Sequence, residues 1–238
     1  MSRKPEKFMV LDVEGMQTCR PYNVGYIIAD RYGKIYKRRS FAIPAAIWEN
    51  IANCLKIGQA VEMTKQNVQE ILQDMNKGRL SRKYKTVTIP DFIRIFFHDI
   101  EKYKIHRVFA YNVLFDKGAI HRLIGDNNFN KLCEMCEFCD IITAILYTKL
   151  LTKNYIKFCL KNAYLTPKGY PSYKAEYVIR YLTNNLNYVE EHTGLSDVLD
   201  EYSILLTAFN THKKLDFKPV QAWRILGEFM QTLNLCAA

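Results

Sequence analysis

The stretch Phe8 to Gly15, FMVLDVEG, constrains the fold more than any other part of the chain. Phe8, Met9, Val10 and Leu11 form an unbroken apolar run, the pattern of a strand covered on both faces and so of a sheet held between helices. Such a strand has no structural use for acids, yet it ends in Asp12 and Glu14 with only Val13 between them. Alternate strand residues point to one face, so the two carboxylates project side by side, roughly 7 Å apart along the strand at most. They repel, and one takes up a proton unless a cation lies between them. Magnesium and manganese prefer oxygen ligands and commonly take one or two carboxylates. A D-x-E pair at a strand end is more often a solvated turn, so its meaning depends on the rest of the sequence.

Around this strand the pattern predicts an α/β chain with a mixed sheet. Asn23 to Ala29 and Lys34 to Ala42 read as two further strands, joined into a hairpin by the turn residues Asp30 to Gly33. Helical spacing follows from Trp48 to about Lys77, with ENIANCL and KQNVQEILQDM as two short helices, and the basic stretch after them reads as a loop. Thr88, Pro90 and Asp91 mark a helix start, with Phe92, Ile95, Phe96 and Ile100 on one stripe. Arg107 to Tyr111 reads as a buried strand, Lys117 to Ile124 as a helix, and EFCDII around Cys139 as a fifth strand. The remainder is mostly helical, interrupted by the Pro- and Gly-containing loop Thr166 to Tyr173. A meander followed by strands alternating with helices gives a sheet covered on both faces, with reactive groups at strand ends and at the helix starts beside them.

The 238 residues, 49% of them hydrophobic, bury a sizeable core as one domain or one domain with an insertion. There is no run of about 18 apolar residues, and MSRKPEKF lacks the apolar centre of a signal peptide, so the expectation is a soluble, cytoplasmic protein with no membrane partner. Seven scattered cysteines then read as reduced thiols. CEMCEFC, with Cys133, Cys136 and Cys139, supplies only three thiols at metal-ligand spacing, and small buried thiols are the simpler account.

A formal charge of +10 points to a polyanionic partner, nucleic acid before membrane. The charge is uneven. Between Leu146 and Asn185 stand Lys149, Lys153, Lys157, Lys161, Lys168, Lys174 and Arg180 among many tyrosines, against the single acid Glu176. KGRLSRKYK adds Lys77, Arg79, Arg82, Lys83 and Lys85 with no acid. Cations that follow a backbone and rings that stack on bases suit single-stranded nucleic acid, though solvated faces would have the same composition.

Two further acidic elements join the first. In AYNVLFDKGAI a buried strand ends near Asn112, and Asp116 falls in the first turn of the next helix, where the dipole favours a carboxylate. In EEHTGLSDVLDEYSILLTAF, Leu195, Val198, Leu199, Tyr202, Leu205, Leu206 and Phe209 make one core stripe. Asp197 lies off that stripe, free to face a cleft, and His192 stands just before the helix. The acid suits a metal ligand and the imidazole a base. Asp200 and Glu201 are near enough to be mistaken for Asp197, and the five-residue step from His192 favours Asp197.

These three elements together resemble the 3′→5′ exonucleases of the DEDDh type, which include proofreading exonuclease subunits, RNase T and oligoribonuclease. The family's D-x-E is matched by Asp12 and Glu14, its N-x-x-F-D by Asn112, Phe115 and Asp116, and its H-x-A-x-x-D by His192 and Asp197, with Gly194 in place of the alanine. Cys139 and Asp140 in FCDIITA resemble a family element in which an Asp-Thr pair follows a late strand. The HTGLSDVLDE stretch is similar to phage-encoded members.

The resemblance implies an RNase H-like fold with a mixed five-stranded sheet, here one exonuclease domain with 48–85 as a helical, basic insertion and with a helical C-terminal part. It implies two magnesium or manganese ions about 4 Å apart that clamp the scissile phosphate. By position, Asp12 bridges both ions, Glu14 and Asp197 complete the first site, Asp116 supports the second through water, and His192 takes the proton of the attacking water. The expected products are nucleoside 5′-monophosphates from a 3′ end of DNA or RNA, the expected partner a single strand, with docking to a polymerase or replication complex open. Two other classes fit the same sequence: a binding module that keeps the fold without activity, and an RNase H-like endonuclease.

Overall fold

The computed structural model describes residues 5–15, 18–57, 84–190, 194–211 and 214–234. The expected helix KQNVQEILQDM, most of the basic stretch KGRLSRKYK, and His192 lie outside the described residues.

The predicted opening meander is present as β1 (Lys7–Glu14), β2 (Asn23–Asp30) and β3 (Ile35–Ala42). Its hairpin is held by the Asp30 carboxylate, which accepts from the Tyr32 and Lys34 amides at 2.8 and 3.3 Å, and by Gly33 at φ +92°. Helix α1 (Pro44–Ile57) follows and takes in ENIANCL, starting earlier than the sequence spacing predicts. The two-residue strand β4 (Lys85–Thr86) pairs parallel to β3. Helix α2 (Ile89–Tyr103) is capped by the Thr88 side chain, which accepts from the Asp91 amide at 3.2 Å, and it buries Phe92, Ile95, Phe96 and Ile100 as the periodicity requires. Then come β5 (Arg107–Ala110), α3 (Val113–Ile124), α4 (Asp126–Met135), β6 (Glu137–Asp140) and α5 (Ile141–Ile145), which runs on as a π-helical turn to Leu150. Helices α6 (Lys153–Lys161), α7 (Ala175–Thr183), α8 (Gly194–Phe209) and α9 (Ala222–Thr232) complete the described chain. Among the described residues no helix is long and apolar enough to cross a membrane.

The sheet order is β4-β3-β2-β1-β5-β6, with β1 antiparallel to β2 and parallel to β5. This is the expected mixed α/β sheet, covered by helices on both faces. It has six strands, not the five expected, because β4 is too short to leave any period in the sequence. One face, with Phe8, Val10, Ile27, Ala29 and Phe109, packs beneath α5, α8 and α9. The other, with Met9, Leu11, Val13, Tyr26, Ile28 and Val108, packs beneath α2 and α3. Strict alternation along β1 therefore puts Asp12 and Glu14 on the α8 face, in line with Phe8 and Val10.

Candidate metal centre

Asp12 pairs across the sheet with Gly25, and the missing side chain there decides how closely α8 approaches. A Cβ on Gly25 would lie 2.1 Å from the carbonyl carbon of Gly194, and a Cβ on Gly194 would lie 2.8 Å from the Gly25 amide. Two glycines thus let the first turn of α8 rest on the backbone of β2. The turn carries Asp197, and Asp12, Glu14 and Asp197 each offer an oxygen within 4.8 Å of the others. The contact also accounts for Gly194 where the resembled family has alanine.

Asp116 comes from the other side of the sheet's end. Strands β1 and β5 are parallel, so the start of α3, immediately after β5, lies beside the end of β1. The Val13 amide hydrogen-bonds the Asp116 carboxylate, and the side chain is 3% exposed. The start of α3 is itself anchored by Asp140 at the end of β6, whose carboxylate accepts from the Val113 amide at 3.3 Å and from the Thr143 amide and hydroxyl at 2.9 and 2.7 Å. Helix α3 therefore starts at Val113, not Lys117. The Asn112 side chain makes no cap hydrogen bond, and Asp116 stands in the first turn, as the sequence places it.

A fifth acid joins the set. Glu201 lies one turn after Asp197 on α8 and is 5% exposed. The helix is buried not only along its apolar stripe but also along Asp197, Glu201, Ile204 and Ala208. Spacing of i, i+4 from Asp197 is the signal that identifies Glu201.

The electrostatics follow from burial with no Lys or Arg ion-paired to these acids among the described residues. Burial, then the charges of Asp116, Glu14 and Asp197, push the Asp12 carboxyl well above the carboxylate range. Glu14 is pushed up to about 8 by burial and by Asp197, with which it hydrogen-bonds. Asp116 is pushed up to about 8, chiefly by burial. Burial and the charges of Asp12, Asp116 and Asp197 hold Glu201 well above its usual value. Among the described residues, the buried oxygens Asp12 Oδ2, Asp116 Oδ1 and Glu201 Oε2 accept no hydrogen bond. Oxygen-only donors, mutual repulsion and unsatisfied buried lone pairs fit a hard divalent cation.

Of the residues singled out from the sequence, Asp12, Glu14, Asp116 and Asp197 meet at this sheet end. Asp200 does not, since it accepts a hydrogen bond from the Tyr188 hydroxyl. His192 is outside the described residues, two positions from Glu190, whose charge acts on Asp12 and Glu14. Cys136 donates to the Ile105 carbonyl, and burial pushes its thiol up to about 11. In the basic segment some of the interleaved groups are already engaged. Tyr164 and Tyr177 stack at 4.2 Å, and Arg180 bonds the Tyr164 hydroxyl and the Tyr188 carbonyl. Lys153, Lys157 and Lys161 remain an exposed row along α6.

No family model and no curated protein matches the chain. Among solved structures, E. coli Exonuclease I in complex with a dA16 oligonucleotide is similar to it over 95% of the chain, at 13% identity and a TM-score of 0.46. The chain spans 43% of that protein's length.

Proposed function

We propose that the chain is a divalent-metal-dependent 3′→5′ exonuclease that hydrolyses the terminal phosphodiester bond of a nucleic acid and releases a nucleoside 5′-monophosphate. The observation that carries this reading is the meeting of Asp12, Glu14 and Asp197, from a strand and a helix far apart in sequence, within 4.8 Å. Magnesium or manganese held by Asp12, Glu14, Asp116 and Asp197 would supply an activated water and charge stabilisation at the leaving oxygen. The chain's own part is to hold the donors in place before substrate arrives. The Gly25–Gly194 contact sets the distance from β1 to α8, and the Val13 amide fixes Asp116. In the resembled family the residue at the position of His192 takes a proton from the attacking water, and we assign His192 that role by the resemblance. The lysine row on α6 would follow the phosphates of a single strand, in keeping with the +10 charge.

The test is digestion of end-labelled linear and circular single strands, and of duplexes, as DNA and as RNA, with magnesium or manganese present. Mononucleotides from linear substrates with circles intact are expected, and chelator abolishes the reaction. Cut circles would reassign the chain as an endonuclease. Binding without any metal-dependent product would make it a non-catalytic module.

A further inference from the structure

The acids matched to the exonuclease motifs number four, and Glu201 is not among them. Its position is costly. It is 5% exposed, it lies with Ile204 and Ala208 on the buried side of α8, and its Oε2 accepts no hydrogen bond among the described residues. No Lys or Arg pairs with it among the described residues. A buried carboxylate without a counter-charge costs several kcal/mol, so a purely structural position here would hold an apolar residue. Tyr111 feels the charge of Glu201 but donates its hydroxyl to the Tyr173 carbonyl instead.

The charges that act on Glu201 most strongly are those of Asp12, then Asp116, then Asp197. Asp12, Glu14 and Asp197 already form one compact donor set, to which neither Asp116 nor Glu201 belongs. The charge of Asp12 acts on Glu201, and that of Asp116 acts on both Asp12 and Glu201. We infer that Glu201 is a further carboxylate of the metal centre, serving a second divalent cation together with Asp12 and Asp116. This rests on the metal-centre reading above. Its consequence is particular to this chain: a position with three protein carboxylates binds a cation more tightly than one with two.

The experiment uses the full chain, stripped of metal, titrated with Mn2+ while free Mn2+ is followed by electron paramagnetic resonance, with thermal unfolding measured in parallel. Wild type is expected to take up two ions. Glu201→Gln is expected to lose one, or to bind it at least tenfold more weakly, while Asp200→Asn keeps both. Without metal, Glu201→Gln and the apolar Glu201→Met are expected to melt no lower than wild type, since a buried charge is gone, and to gain less from Mn2+. Two ions bound to Glu201→Gln at wild-type affinity would overturn the inference, as would metal-free melting of both variants below wild type with Mn2+ affinity unchanged. Failure of wild type to bind any Mn2+ would instead overturn the metal centre itself, a separate result.

Discussion

One buried carboxylate on one face of the sheet and a cluster of carboxylates at the end of β1 are neutralised in opposite ways. Beneath α2, Asp99 is 2% exposed and accepts from Arg39 Nε and Nη2 at 2.9 and 3.3 Å and from the Tyr26 hydroxyl at 2.9 Å. Burial pushes its carboxyl up, but the Arg39 and Tyr26 hydrogen bonds more than offset it and hold it below the usual range. At the end of β1 under α8, Asp12 and Glu14, joined by Glu201 of α8 and by Asp116 from the start of α3, are all held above that range. The two environments meet within one residue of β2, since Tyr26 faces Asp99 while Gly25 faces Asp12 and Gly194. Burial is common to both, so the difference lies in the donors. The fold satisfies Asp99 from within and leaves the other set for a cation from outside.

The largest effect should come from removing an acid or the proposed base on the unsatisfied side. Asp12→Ala is expected to lower single-turnover hydrolysis on the order of 10³-fold, the equivalent of several kcal/mol of lost charge stabilisation. His192→Ala is expected to cost roughly 10²- to 10⁴-fold, as for a general base. Circular dichroism of both variants should stay that of the wild type. Turnover at the wild-type rate by either would break the contrast, because the α8 acids would then have no more chemical role than Asp99.

Removing a donor on the satisfied side should act on stability instead. Arg39→Met leaves Asp99 buried without its cation and is expected to cost about 3 kcal/mol in denaturant unfolding. Glu14→Gln should cost nothing without metal, since it removes repulsion. If Glu14→Gln proved the more damaging of the two under chelator, the carboxylates beneath α8 would have to be satisfied by the chain after all.

Smaller again is the effect of closing the gap between the two glycines. Gly194→Ala restores the residue usual in the resembled family but places a methyl 2.7 Å from Asn23 Oδ1 and 2.8 Å from the Gly25 amide. Overpacking of this kind costs about 1–3 kcal/mol. It should also weaken Mn2+ binding, by pushing Asp197 away from Glu14. A Gly194→Ala protein with unchanged melting and Mn2+ affinity would show that β2 and α8 can separate without disturbing the donor set.

What the sequence reveals of this arrangement divides by locality. Strand β1, the Asp30–Gly33 turn and the Thr88 cap are written in neighbouring residues, and each forms where the pattern places it. Helix α3 is different: Asp116 marks its first turn, but the Val113 amide is satisfied by Asp140, a contact from β6, so its first residue is not written locally. Glu201 escapes for a related reason. Helix α8 is covered on two sides, and a period read from its apolar stripe alone leaves the second side, with its two acids, looking exposed. The donor set is therefore legible as residue types in order, whereas its fifth member depends on how α8 is wedged against the sheet.

The least of the expected effects isolates Asp99 by acid. Its folded carboxyl lies below the ordinary value, so its contribution is fully present above the unfolded pKa of about 3.9 and is lost as pH falls through the folded value. Asp99→Asn removes that titration. The stability difference between wild type and variant, measured by urea unfolding, should be constant above about pH 5 and shrink below about pH 4. Taking the difference cancels the titration of the acids at the end of β1, which both proteins share. A difference that held constant or grew on acidification would mean that Arg39 and Tyr26 do not stabilise the ionised form. Asp99 would then no longer serve as the internally neutralised acid against which to set the metal centre.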